Sequence, residues 1–409
     1  MLNGLFKGLV KVLSSVSSRS LPGVLNLASL WFFSHYLDSG EYAENSNYVY
    51  LVSYISGMTL GIVYFSLVVI LPSSDEDDKS LETLAYIFKK AFLFLSVLFI
   101  FIWLMGLLEP RVILGILVLS LFQYSVELNR AKGSFKVALR LLYTQSFILF
   151  ILILFSWYFS AKVSFESLFI LAYSFSVLAV DFSTVSALFR ARLIGEKKVV
   201  FDMFSVFSGA FLLKVSEGFV PAFLRYVVLP HYPDSKDFAT LAMDLVQRFV
   251  ATLFNAVKFF VMPSQVKEYH GRKFNPKVGG ALNHISLIIA MTVITSFVLV
   301  VTYSDLLSNW EIFHDLGPKL AELDLMYLFF VIVIYQISNF YRKSSVDIYL
   351  MSNRRYSELV LLHFFALVTA STFFYFGFAY LGVFCVVAVY YVTIYFLSRI
   401  LLREKKVEL

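Results

Sequence analysis

His35-Tyr36-Leu37-Asp38-Ser39-Gly40-Glu41-Tyr42-Ala43 recurs, in altered form, as His231-Tyr232-Pro233-Asp234-Ser235-Lys236-Asp237-Phe238-Ala239. His, Tyr, Asp, Ser and Ala coincide, and Glu41/Asp237 and Tyr42/Phe238 are conservative pairs. Each stretch closes one apolar span and leads into the next. The spans that follow also end alike, at Pro72-Ser73 and Pro263-Ser264. The same polar turn at the same place in two blocks of spans marks an internal duplication. Six spans separate the copies, so equivalent helices run in the same direction. The axis relating the halves then lies along the membrane normal, a layout that favours a central cavity between them.

The spans themselves follow from composition. Of 409 residues, 59% are hydrophobic and 15% charged, and the mean hydropathy is +0.78. A soluble domain cannot keep that much apolar surface from water, whereas stretches of about 20 apolar residues match the hydrocarbon core of a bilayer. Windows bounded by charge, Pro or Gly give about twelve spans: 14–36, 46–71, 86–108, 111–128, 140–160, 166–189, 206–230, 238–262, 281–303, 325–345, 357–377 and 379–400. The expected architecture is an all-α integral membrane protein of about 12 transmembrane helices. Two parallel-related six-helix halves divide it, residues 1–198 and 199–409.

Charge sets the orientation. With the N-terminus inside, 25 of the 34 Lys and Arg fall in inside segments, against four in outside loops: Arg111, Lys162, Lys236 and Lys319. This asymmetry places both termini in the cytoplasm. The net charge of +6 is spread over many short loops, so nucleic acid is not a partner. Cys385 is the single cysteine, which excludes an intramolecular disulfide and a cysteine metal site. No cleavable signal peptide is read in residues 1–20, and the first span is expected to direct its own insertion. The acidic run Asp75-Glu76-Asp77-Asp78 reads as a solvated turn rather than a metal site.

Five cations remain inside predicted spans: Arg19, Lys214, Arg225, Arg248 and Lys258. A charge at mid-bilayer costs roughly 2.5–3.5 kcal/mol on insertion scales, so such residues face a partner or a water-filled cavity. Arg19 and Lys214 precede His35 and His231 by similar distances, which puts them about 25 Å from the outer edge at 1.5 Å per residue. Arg248 lies near the midplane. Arg225 and Lys258 are near span ends and can snorkel. Lys214 and Glu217 are spaced to pair at i, i+3, and Asp244 and Arg248 at i, i+4. Self-neutralising pairs are therefore one reading of these charges and a shared cationic cavity the other. Pro22, Gly218 and Pro221 break spans one and seven close to the charges, as in helices that line a transport site. Asp181, Glu217 and Asp244 are the carboxylates placed to pair with cations or to couple to ions. His35 and His231 read as interfacial, and His363, within span eleven, as a helix-packing hydrogen bonder.

No phosphate-cradling Gly-rich loop is present, so no ATPase domain is encoded. No cofactor and no metal are called for. The sequence also offers no Ser/His/Asp arrangement that can be supported, and no large outer loop of the kind a polysaccharide polymerase presents.

The stretch Ser34-His35-Tyr36-Leu37-Asp38-Ser39-Gly40-Glu41-Tyr42-Ala43 resembles the motif that ends the first helix in Wzx-type polysaccharide flippases of the MOP exporter superfamily. Leu37, Glu41 and Tyr42 match that motif; His35 stands where the family has a basic residue, and Ala43 where it has Gly. The architecture resembles the superfamily along the whole chain. The resemblance implies a flippase, not an enzyme, in the bacterial inner membrane. Its cargo would be an undecaprenyl-pyrophosphate-linked oligosaccharide, an O-antigen or related repeat unit for lipopolysaccharide biosynthesis. A polysaccharide polymerase and a chain-length regulator would be partners, alongside membrane lipids. Arg19, Lys214 and Arg248, with Arg225 and Lys258, would hold the anionic head. A multidrug/cation antiporter of the same superfamily and a membrane-embedded polymerase or acyltransferase are the competing readings.

Overall fold

The computed structural model describes residues 41–60, 77–159, 163–192, 211–219 and 355–375, with shorter pieces at 21–26, 28–29, 32, 67, 221–223, 225–226, 240, 244, 247–248, 346–347, 349–350, 353, 389, 392–393 and 396–397. Arg19, Lys258, His35, His231, Cys385 and the ninth predicted span lie outside the described residues. Among the described residues the regular structure is helical throughout. We label the long helices α1 (Glu41–Thr59), α2 (Asp77–Leu104), α3 (Pro110–Ala131), α4 (Phe135–Tyr158), α5 (Phe165–Arg190) and α6 (Tyr356–Tyr375).

Helices α2 to α5 are long and apolar enough to cross a membrane. They coincide with predicted spans three to six. α3 starts with Pro110 in its first turn, where a missing N–H loses no helical bond. It stops at Gly133, whose φ of 74° is a left-handed conformation open to glycine. The N–H groups of Gly133 and Ser134 donate to the carbonyls of Arg130 and Asn129 at 3.0 and 2.7 Å. This short closure turns the chain straight into α4 and makes α3 and α4 antiparallel neighbours. Ser164 caps α5 by accepting from the Ser167 N–H, with Glu166 complementing the positive end of the helix dipole.

Packing separates central from peripheral helices. In α3, 67% of the apolar window is buried, against 17% in α2. α2 accordingly turns Phe94, Val97, Phe101 and Leu104 outward, where lipid would cover them. α3 is the central helix. Its Ile116 and Leu119 join Tyr48 and Val52 of α1, Leu149 and Ile153 of α4, and Phe169 and Ala172 of α5 in one core. α1 approaches α3 closely because Gly115 has no side chain. A Cβ there would collide with the Tyr48 hydroxyl, which donates to the Arg111 carbonyl at 3.0 Å.

Candidate functional site

One face of α1 carries Ser46, Tyr50, Tyr54 and Gly57, each three or four residues after the last. Together they form a continuous stripe along the helix. The stripe lies against the segment 211–226, and the contacts pair α1 with that segment in reverse order. Ser46 accepts from Arg225 at 2.9 Å; Tyr50 donates to the Gly218 carbonyl at 2.7 Å; Gly57 lies under the Lys214 stem. Two antiparallel segments, some 170 residues apart in sequence, thus make a seam. The seam is tightest at Gly218, where a Cβ would run into the Tyr54 ring. Gly218, expected as a helix break, is itself helical within 211–219 and serves as the point of closest approach.

At the Ser46 end, Arg225 pairs with Asp244 in a buried site, their side chains 2% and 5% exposed. Asp244 also accepts hydrogen bonds from Ser46 and, at 3.1 Å, from the Tyr42 hydroxyl. Arg225 donates further to Asn47 at 3.1 Å, and its guanidinium stands 5.1 Å from the Tyr50 ring centroid, a cation–π contact. Tyr50 in turn stacks on Tyr54. Three chain segments are tied here by one charge pair and its neighbours.

Beside this latch, the Arg225–Asp244 pair with its hydroxyl partners, lies a cavity of about 550 Å³. Asn26, Ser46, Tyr50, Ser53, Phe169, Tyr173, Gln247 and Arg248 are among its walls, together with Arg225 and Asp244. Asp244 and Arg248 are spaced to pair with one another, but the carboxylate goes to Arg225 instead. Arg248 lines the cavity, and no described carboxylate lies within salt-bridge distance of it. Among the described lining residues, two cations face one carboxylate, which leaves a net positive charge.

Lys214 and Glu217 form the ion pair that their spacing predicts, at 3.1 Å. They sit beside Gly57, farther along the seam from the Arg225 latch. Asp181 lies elsewhere, buried between α5 and α3. The structure therefore brings Arg225, Asp244 and Arg248 to one cavity and places Lys214 with Glu217, and Asp181, apart from it.

A second buried polar cluster was not legible in the sequence. His363 of α6 bonds Ser216 through Nδ1 at 2.8 Å, and its Nε2 stands 3.5 Å from an Asp347 oxygen. The residue types are those of a hydrolytic triad, and the sequence reading found no such arrangement. Their exposures of 0–1%, however, leave a substrate carbonyl no approach to the hydroxyl. The cluster ties α6 to the segment 211–219. Ser216 and His363 are 147 residues apart, so no local spacing announces them.

No known family's sequence profile matches the chain, and no curated protein matches it. Solved structures do match. A MATE transporter in complex with MaL6 superposes with a TM-score of 0.65 at 11% identity, covering 96% of each chain. An outward-facing multidrug resistance MATE family transporter of the MOP superfamily gives 0.62 at 11% identity, over 96% of this chain and 95% of that one. A mutant of a Vibrio cholerae MATE transporter gives 0.59 at 12% identity, over 97% and 98%. The chain thus has the all-helical fold of the MATE transporters along almost its whole length.

Proposed function

We propose that the chain is a membrane transporter of the MOP superfamily. Its cargo is an undecaprenyl-pyrophosphate-linked oligosaccharide, an O-antigen or related repeat unit, which it flips across the bacterial inner membrane. The observation that carries this reading is Arg248, a guanidinium on the cavity wall beside a carboxylate already engaged by Arg225. A guanidinium in a low-dielectric chamber holds a phosphate by paired, charge-assisted hydrogen bonds. Tyr50 and Tyr173 add aromatic lining to the same cavity. The two halves, 1–198 and 199–409, rock about the seam in alternating access, and the isoprenoid tail stays in lipid between them. Both termini lie in the cytoplasm. A polysaccharide polymerase and chain-length regulator receive the product.

The test is Arg248→Ala in a strain lacking the chromosomal copy, with surface polysaccharide measured at matched protein level. Loss of polymer is expected, with partial recovery in Arg248→Lys. Wild-type polymer in Arg248→Ala would remove the cationic-chamber mechanism.

A multidrug antiporter fits the fold equally well, because one of the matching structures is a multidrug resistance transporter. For that reading Asp244 would be the cation's counter-charge. Efflux of organic cations, lost in Asp244→Asn and kept in Arg248→Ala, would decide for it.

A further inference from the structure

We infer that Asn26 and Gln247 form an uncharged subsite that reads the sugar joined to the phosphate on Arg248. Two side-chain atoms carry the inference. Asn26 Oδ1, an acceptor, and Gln247 Nε2, a donor, are closed off from solvent and have no hydrogen-bond partner. Both residues line the cavity beside the latch. A buried polar atom without a partner is costly, because it has given up water and gained nothing in exchange. The large majority of such atoms in folded proteins are paired. Two of opposite sense, on residues lining one chamber, mark a place where an occupant completes the bonding. Each amide turns about its last side-chain torsion, which has a broad energy well, to meet that occupant.

Position and bonding sense narrow the occupant. Gln247 and Arg248 are consecutive helical residues, and both line the cavity. Their Cα atoms are about 3.8 Å apart and their side chains diverge by about 100°. A ring joined to a phosphate on Arg248 therefore comes against Gln247. Asn26 stands on the first span, three residues after Gly23, which lines the same cavity. A group that accepts from Gln247 and donates to Asn26 carries an acceptor and a donor side by side. A bare phosphate only accepts, so it would leave Asn26 Oδ1 stranded. An organic ammonium only donates, so it would leave Gln247 Nε2 stranded. A secondary amide and a pair of adjacent hydroxyls each satisfy both atoms. Sugars carry both groups, the amide as an acetamido substituent. The place of the phosphate rests on the flippase reading above; the two stranded atoms do not.

The test is equilibrium binding to the full chain in lipid nanodiscs, with three probes: undecaprenyl pyrophosphate bare, bearing glucose, and bearing N-acetylglucosamine. The wild type should hold at least one sugar-bearing lipid about 3- to 10-fold more tightly than the bare one, the value of one or two neutral hydrogen bonds. A gain from both sugars assigns the hydroxyl pair, and a gain from the acetamido sugar alone assigns the amide. In Asn26→Leu and in Gln247→Met the affinity for the sugar-bearing lipids should fall toward that of the bare one. Resistance to unfolding should not drop in either variant, because the atom removed had no partner. Should Asn26→Leu fail to accumulate, Gln247→Met decides alone. Binding without a sugar gain, or a gain that survives the substitutions, overturns the subsite alone. An equal loss for bare and sugar-bearing lipids, with lowered stability, marks a structural role and also overturns it. Failure of all three lipids to bind the wild type removes the flippase reading and the subsite with it.

Discussion

Removing the guanidinium of Arg225 should destabilise the protein more than removing both members of its charge pair. Arg225 and Asp244 are 2% and 5% exposed, so neither recovers water when its partner is lost. In Arg225→Ala the Asp244 carboxylate keeps, among the described residues, the Tyr42 and Ser46 hydroxyls as donors. Breaking a buried ion pair from one side costs about 3–5 kcal/mol, whereas exchanging both partners for apolar residues of similar size is often near neutral. Arg225→Met with Asp244→Leu should therefore regain most of what Arg225→Ala loses. Part of the single-mutant penalty is offset in a bilayer, where the unfolded helices also find partners, so the lower end of the range applies. About 3 kcal/mol is still roughly two powers of ten in an equilibrium constant. The assay is reversible unfolding in mixed micelles with increasing dodecyl sulfate, run as a double-mutant cycle over Arg225→Ala, Asp244→Ala and their combination. Additivity within about 0.5 kcal/mol is what independent sites give. If the cycle closes to that level, the two side chains do not act together and the latch does not exist.

Gly218→Ala should destabilise by about 1–3 kcal/mol through overpacking against Tyr54, and Tyr54→Val should suppress the defect, both read by the same unfolding assay. Gly133→Ala, at a φ of 74°, should cost about 1 kcal/mol with no change in the cavity. His363→Leu should cost about 1–3 kcal/mol by removing the ring's hydrogen bond to Ser216 and its contact with Asp347, and adding Ser216→Ala and Asp347→Leu should recover part of it. Arg248→Ala should lower retention of a pyrophosphate-bearing lipid by roughly 10- to 100-fold, the value of one or two charge-assisted bonds, measured by equilibrium binding to the purified chain.

Hydropathy located all four of α2 to α5 and set the ends of α3 and α5 within about three residues, because length and apolar content suffice for helices that face lipid, but it started α2 at 86 and missed the charged turns from Asp77. It placed the second span at 46, whereas α1 begins at Glu41. The missed turn contains Tyr42, and the next begins with Ser46; both side chains are buried at the Arg225–Asp244 pair. Polar residues that lie inside a protein seam look, to a hydropathy window, like the water-facing loop before a span. The partner of Asp244 was missed for a related reason. Spacing rules see neighbours on one helix and so proposed Arg248, four residues on. The real partner stands 19 residues back, brought there by the fold. Lys214 and Glu217 needed no tertiary information, and their pairing was legible. Asp181 was singled out from its position in an apolar span; the helix break beneath it has no Pro or Gly to signal it.

With Arg225 and Lys214 each held in a pair, Arg248 is the lining cation with no described carboxylate at salt-bridge distance. Had Asp244 taken the cation on its own helix, one turn away, the pair would have been neutral within a single element and Arg225 would have faced the seam alone. Instead the carboxylate binds across to another segment, and the structural role falls to the residue pair that joins helices. On the proposed transport function, this division has a use. A charge that both locks the seam and binds cargo would have to break one bond to make the other. The Tyr42 and Ser46 hydroxyls on Asp244 make the lock a hydrogen-bonded latch rather than a bare ion pair. Cargo that releases the latch must then compete for Asp244 or Arg225, and a pyrophosphate bound to Arg248, one helical turn from Asp244, is placed to do so by repelling the carboxylate. An organic cation in the same position would strengthen the hold on Asp244 and meet repulsion from Arg248. On the proposed function, the electrostatics of the latch favour an anion as the species that opens it.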